Sequence, residues 1–449
     1  MAAPDAAASA ASNKKGVAAP PTRPSSSRAR DAVVFATGVA AAVLAFLGPA
    51  SILVPERAGQ LVAFPVPGPA DGPRTFYDDA DLSYALGRRV TDWDAKRAQW
   101  LRSRGLGRNA GPAAERVVMV SGSQPEPCRG AGGDHLLLRF LKNKVDYCRL
   151  HGIELLYNNA VLEPSSMVAF WAKIPIVRAA MLAHPEAEWV WWVDADAVFT
   201  DMDFSLPLAK YRPYNLVLYG WPEEVYEKRS WVGLNAGVFL IRNCQWSLDF
   251  MDEWASMGPA SPEYARWGKT LRDTLSKKSD DQSDDQSALA YLLLMNRERW
   301  GDKTYLGIDY YFQGYFAEIV GKLDAIAARY VAVERKGEPA LRRRHAEREH
   351  LRYAAARNAA VRAVVPGPDG GGQSGWRRPF VTHFTGCNPC GGKRNKIYSR
   401  EICEDGMRRA LGFADDQVLR AYGFRHAAPL NDTVRVLPFD YPAARARKH

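Results

Sequence analysis

Only one Cys-x-x-Cys pair, Cys387 and Cys390, occurs in the chain, and no second pair stands elsewhere to complete it. A structural zinc site needs four ligands, so the cysteines (Cys128, Cys148, Cys244, Cys387, Cys390 and Cys403) exclude a zinc framework. They leave disulfides open if the domain is lumenal, without saying which cysteines pair. An evenly basic surface is missing too. Of the net charge of +10, residues 1–30 carry +4 and residues 334–362 carry +5. The remainder is close to neutral, which excludes the basic face of a nucleic-acid-binding fold. Compositional bias is also absent: 47% apolar and 24% charged residues exclude wholesale disorder and allow a sizeable core.

Charge is absent altogether from Ala32 to Val54, and those 23 residues suffice to cross a hydrocarbon core as a helix. Gly38, Gly48 and Pro49 weaken the span, and Ala50 or Ser51 could suit a signal peptidase. Its length favours an uncleaved signal anchor at 32–54. The basic, Ala-, Pro- and Ser-rich segment 1–31 then reads as a disordered cytosolic tail, with the rest of the chain lumenal. Residues 55–114 read as a stem, with a helix expected between Thr91 and Arg104. Residues 115–449 are the expected catalytic domain, with a basic insertion at 334–375 that reads as a helix or a mobile segment. Asn431, in Asn-Asp-Thr, is an expected glycosylation acceptor.

The catalytic domain centres on WVWWVDADAVFTD, from Trp189 to Asp201. Its apolar start is a strand covered on both faces, and Asp194 and Asp196 follow abruptly. Two carboxylates one residue apart can converge on a hard divalent cation with positions open for phosphate oxygens; the plain alternative is an acidic turn. Strands are expected at Arg116–Ser121, Ile153–Tyr157, Leu216–Gly220 and Val238–Ile241. Helices are expected at Leu136–His151, with Leu137, Leu141, Val145 and Cys148 on one side, at Ser165–Leu182 and from Asp249. Strand and helix alternating up to Asp194 make a doubly wound α/β sheet.

Gly122 lies in the turn after the first strand, a suitable place for a nucleotide. Lys173 could reach a diphosphate or simply be solvated. Asn235 and Gly237 stand at a strand entrance, where a small residue admits a sugar and an amide can bond its hydroxyls; a hairpin turn is the alternative. SDDQSDDQS writes one unit twice, and only the second copy runs into a helix. Asp284, Asp285 and Gln286 would occupy its first turn, as caps or with a carboxylate facing an anomeric carbon. His383, after a short strand, can complete the metal shell or be structural. It precedes a Gly-rich loop suited to wrapping a diphosphate.

These motifs, with GDHLLLRFLKNKVDYCRLHGIELLYN, FWAKIPIVR, YNLVLYGW, WVGLNAGVFLIRN, QWSLD, DDQSALAYLL and HFTGCNPC, resemble the plant glycosyltransferase family 34 from about Val117 to His426. That family contains galactomannan galactosyltransferases and xyloglucan xylosyltransferases. The resemblance implies a GT-A type, Rossmann-like single catalytic domain with a central mixed sheet, a type II Golgi membrane protein, a UDP-sugar donor and manganese. It also implies α-1,6 transfer, with retention, to a polysaccharide acceptor with a β-linked hemicellulose backbone. It matches Asp194, Asp196 and His383 to metal ligands and Asp284, Asp285 and Gln286 to the active-site run. Gly122, Lys173 and Gly386 match positions near the nucleotide. The xylosyltransferase branch looks to carry Ser and Lys where this chain has Ala195 and Asn388, which leans the reading to UDP-galactose over UDP-xylose. The missing Lys at Asn388 and the basic insertion motivate a second reading, a catalytically weak subunit assembled with paralogous glycosyltransferases; the doubled SDDQ also lies outside the family pattern. A glycoside hydrolase would have no use for a diphosphate-binding metal.

Overall fold

The chain divides into two units, Met1–Asp71 and Gly72–His449. The computed structural model describes residues 79–80, 82–106, 116–128, 132–160, 169–336, 350–364, 377–390, 397–427 and 433–436, all in the second unit. The expected tail, the anchor at 32–54, most of the stem and Asn431 lie outside the described residues. Among the described residues no helix is long and apolar enough to cross a membrane. Helix α1, Trp93–Ser103, falls within the span expected at the end of the stem. Its Trp93 is buried, donating its indole N–H to Asn243 Oδ1 at 2.7 Å, so α1 is packed onto the domain that follows.

In chain order the strands that build the site are β1 (Val117–Gly122), β2 (Glu154–Asn158), β3 (Trp189–Val193), β4 (Ala197–Phe199), β5 (Leu216–Gly220), β6 (Leu234–Arg242), β7 (Thr304–Gly307), β8 (Gly314–Tyr315) and β9 (Val381–His383). The principal helices after α1 are α2 (Gly133–His151), α3 (Lys173–Ala183), α4 (Gln245–Ala255), α5 (Asp285–Met295), α6 (Leu323–Lys336), α7 (His350–Val364) and α8 (Arg400–Ala421). Six strands form the main sheet in the order β2-β1-β3-β6-β5-β7. Pairing is parallel within β2-β1-β3 and between β5 and β7, while β6 runs antiparallel to both neighbours. The α/β class and the mixed sheet are therefore as expected. The apolar run of β3 has the reason inferred for it. Trp191 and Val193 enter one core with α2 and α8, and Val190 and Trp192 enter the other with α3, α4 and α5.

Two local expectations need correction. On α2 the buried face is Leu136, Phe140, Asn143, Lys144, Tyr147 and, as expected, Cys148, whereas Val145 is exposed and Leu137 and Leu141 only half-buried. Apolar periodicity sends Asn143 and Lys144 to solvent, but the backbone around β4 needs both. The Asn143 amide exchanges hydrogen bonds with Phe199 N and O at 2.8 and 3.0 Å, and Lys144 Nζ donates to Ala195 O and Ala197 O at 3.1 and 2.8 Å. On β6, Asn235 and Gly237 lie inside the strand and not at its entrance. The β5–β6 register jumps from Leu218 opposite Phe239 to Tyr219 opposite Asn235, so the strand bulges there, and a bulge re-aims side chains.

Candidate active site

At the end of β3 the chain turns sharply. Asp194 N donates to Gly237 O at 2.8 Å, and Ala197 N closes the turn onto Asp194 O at 3.1 Å. The chain then enters β4, which pairs antiparallel with β9 so that Ala197 faces His383. This pairing brings together side chains 187 residues apart: His383 Nε2 lies 3.1 Å from Asp196 Oδ1 and 3.7 Å from Asp194 Oδ2. One ligand atom from each of the three residues falls within 4.8 Å of the others. Two carboxylate oxygens and an imidazole nitrogen suit a divalent first-row cation such as manganese. Two of these side chains pack directly against Gly237. A β-carbon on Gly237 would stand 2.6 Å from Asp194 Oδ2 and closer still to His383, which makes glycine obligatory at the bulge.

Burial alone would push the Asp196 carboxyl up and the His383 imidazole down, but their mutual attraction outweighs it, lowering the one and raising the other. The far side of the ring is held as well. Gln313 Nε2 and Thr385 Oγ1 lie 3.0 and 3.2 Å from His383 Nδ1, leaving Nε2 directed at the carboxylates. Gln313 and Thr385 carry no pattern by which the sequence could have revealed them.

Lys173 is not solvated. Its side chain is buried, with Nζ 2.7 Å from Asp285 Oδ2, 3.3 Å from Asp194 Oδ1 and 3.0 Å from Ala236 O. Burial would lower its pKa, yet the two carboxylates more than compensate and keep it charged. It thereby links the β3 turn to the first turn of α5. Asp285 is buried deeply enough that its carboxyl is pushed up to about 6, although Lys173 pulls it down. Asp284 has a different position. It is the N-cap of α5 and not part of its first turn, accepting from Ser287 N at 2.7 Å and pairing with Lys278 at 2.8 Å. Gln286 Oε1 accepts from Asn235 Nδ2 at 3.2 Å, while its Nε2 donates to Trp231 O at 3.2 Å. Asn235 Oδ1 in turn accepts from Gly237 N at 2.7 Å, so Gln286, Asn235 and Gly237 form one chain across the bulge.

Gly122 ends β1 on the sheet edge where Asp194 leaves β3. A β-carbon there would collide with the Asn158 carbonyl oxygen of β2, so close strand packing already requires glycine. Ala195 occupies the turn between the two aspartates, its carbonyl accepting from Lys144. After His383 the chain turns with Cys387 N bonded to Phe384 O at 2.9 Å and Gly386 at φ +84°, which glycine tolerates best. Asn388 is also left-handed, at φ +28°. The Cys-x-x-Cys residues belong to two different disulfides, Cys387–Cys403 and Cys128–Cys390, which tie this loop to α8 and to the segment before α2. Cys148 and Cys244 are free.

A mixed α/β sheet whose strand ends gather two carboxylates, an imidazole and a buried Lys–Asp pair is the frame of a group-transfer enzyme with a prospective metal centre. The sequence profile of the galactosyl transferase GMA12/MNN10 family matches residues 113–394, and the chain belongs to that family; it is a glycosyltransferase. Probable glycosyltransferase 6 of Oryza sativa subsp. indica is 68% identical, covering 93% of each chain. Galactomannan galactosyltransferase 1 of Cyamopsis tetragonoloba is 53% identical, covering 82% of each. Among solved structures, the galactosyltransferase LgtC in complex with donor and acceptor sugar analogues covers 66% of this chain at 12% identity and a TM-score of 0.29. Likeness at that level decides neither fold nor substrate.

Proposed function

We propose that this glycosyltransferase transfers galactose from UDP-galactose to the 6-hydroxyl of a β-linked hemicellulose backbone such as galactomannan. Transfer retains the anomeric configuration and uses manganese. The catalytic domain is of GT-A type and stands in the Golgi lumen, carried by a single-pass type II anchor. The observation that carries the reading is the convergence of Asp194, Asp196 and His383 beside the Lys173–Asp285 pair and the Gln286–Asn235 chain. Similarity to a protein named galactomannan galactosyltransferase supports galactose and the acceptor class. Ala195 and Asn388 point to the same branch, and two disulfides suit an oxidising lumen.

Asp194, Asp196 and His383 would hold the cation, which when bound supplies positive charge to the leaving diphosphate. Gln313 and Thr385 fix the His383 ring so that Nε2 faces the site. Of the two neighbouring aspartates, Asp284 is spent on capping α5, which leaves Asp285 to face the positive charge that develops at the anomeric carbon. Lys173 holds the Asp285 carboxylate in place. Gln286 fixes Asn235 at the bulge, where its amide is at hand for sugar hydroxyls.

The direct test is hydrolysis of a panel of UDP-sugars by the purified protein, with and without manganese. Manganese-dependent turnover of UDP-galactose above UDP-xylose, abolished by Asp196→Ala, is the expected result. The reverse preference would assign the chain to xylosyl transfer. No turnover with any donor, even with a hemicellulose acceptor present, would favour the assembly subunit.

A further inference from the structure

Lys144 is fully buried, yet the reaction gives it no part. It stands on α2 beneath the acidic turn, and its ammonium donates to Ala195 O and Ala197 O, the carbonyls on either side of Asp196. The Phe140 ring lies 5.6 Å from the charge. Among the described residues no carboxylate touches it; the anionic carboxylates within its electrostatic reach are Asp196 and Asp194. Burial pulls its pKa down to about 8 while those two carboxylates resist the fall, and the two carbonyl acceptors suit an ammonium donor. Lys173 is built differently, since it contacts Asp194 and Asp285 directly. Lys144 instead bonds the backbone of the turn and takes up neither carboxylate.

We propose that Lys144 is a fixed counter-cation of the acidic pair: it holds the turn together when no ion is bound, and it keeps ion affinity low enough that ion and diphosphate bind together. The inference rests on the metal role proposed for Asp194, Asp196 and His383. A buried positive charge behind the ligands repels a divalent cation, and salt cannot screen it from there. A diphosphate brings the negative charge that offsets this repulsion, so each ligand strengthens binding of the other.

The test is Lys144→Met in the full chain, with Mn2+ titrated in the presence and absence of UDP and free Mn2+ followed by electron paramagnetic resonance. The variant is expected to bind Mn2+ alone about tenfold or more tightly than the parent, with a smaller gain on adding UDP. Its Tm should also rise further on adding Mn2+ than that of the parent. A variant with unchanged or weaker Mn2+ affinity, beside a parent that binds Mn2+ with UDP, would reduce Lys144 to a hydrogen-bonding strut and overturn the proposal. A parent that binds no Mn2+ even with UDP would remove the metal reading itself, and this inference with it. Should Lys144→Met fold only with Mn2+ present, the counter-charge role is supported. Should it fold under neither condition, Lys144→Gln, which keeps a donor without the charge, is read by the same titration.

Discussion

Asp285 separates the roles of two residues that the sequence presents as equals. Asp284 and Asp285 stand side by side before an apolar helix, and either could be the cap or the reacting carboxylate. The helix start decides between them: Asp284 takes the cap position, while Asp285 is drawn inward to Lys173. Its carboxyl is pushed up to about 6 by burial, so its ionised fraction grows between about pH 5 and 7. Sugar transfer should rise through that interval and level off above it, and Asp285→Asn should abolish the rise and lower kcat by about a hundredfold or more. Asp284→Asn, which keeps a capping oxygen, should retain the profile. A pH–rate series on the three proteins checks this. The same shift works against stability: the folded carboxyl binds its proton more tightly than the ordinary value of 3.8 allows, so stability from this group is fullest in acid and is lost as pH rises toward about 6. Much of the site was legible because it lies in short patterns, Asp-Ala-Asp after a strand and Asp-Asp-Gln before a helix. Lys144 and Gln313 were not, because each serves a distant backbone or ring and neither interrupts a pattern in a recognisable way.

At the level of elements, the bulge in β6 and the loop after β9 flank the candidate metal residues Asp194, Asp196 and His383. Sequence patterning located both segments but could not supply their geometry. A bulge is a mismatch between two strands, invisible in either one, which is why Asn235 and Gly237 read as a strand entrance. Disulfide pairing is likewise a property of topology: Cys387 and Cys390, three residues apart, find partners 16 and 262 residues away. Together the two bonds hold the loop that begins at His383, with Cys387 fully within the core. Cys403→Ser, paired with Cys387→Ser to leave no odd thiol, should cost about 3 kcal/mol of stability, as expected for closing a loop of that length. The double variant should also raise the KM for donor more than it lowers kcat, because His383 and Gly386 share the released segment. Thermal melts together with donor saturation curves measure both, and an unchanged KM would show that β9 pairing alone holds the ligand.

On the scale of the whole molecule, the concentration of basic charge at 334–362 has a structural destination. β4 is followed at once by Asp201 and Asp203, both buried. Arg357 of α7 pairs with Asp203 and lies 3.4 Å from Glu334, while Arg378 reaches Asp203 at 2.8 Å and Asp201 at 3.8 Å over the Tyr330 ring. Val361, one turn along α7, is buried in the core shared with α2 and α8. The insertion therefore includes a helix that supplies counter-charge to acids just beyond the Asp194–Asp196 turn, and part of the chain's excess positive charge is consumed inside the fold. Removing one partner of a buried ionic cluster leaves the other uncompensated, so Arg357→Ala should destabilise the protein by about 3–5 kcal/mol. The pH dependence of that loss has a defined sign. Burial pushes the Asp201 carboxyl up to about 6, with Arg357 among the groups that pull it down. A carboxyl raised above its ordinary 3.8 costs stability as pH rises between those values, and without Arg357 it rises further. Melting temperatures of Arg357→Ala should consequently fall below those of the parent by a margin that is nearly constant in acid and widens as pH rises above about 6, where the parent ionises Asp201 and the variant still resists it. Asp196 lies at the opposite end of β4 from this cluster, so manganese-dependent donor turnover by the folded variant, assayed well below its Tm, should stay within about twofold of the parent. A margin that is constant across pH would mean that α7 contributes packing through Val361 and no electrostatic support to the buried acids.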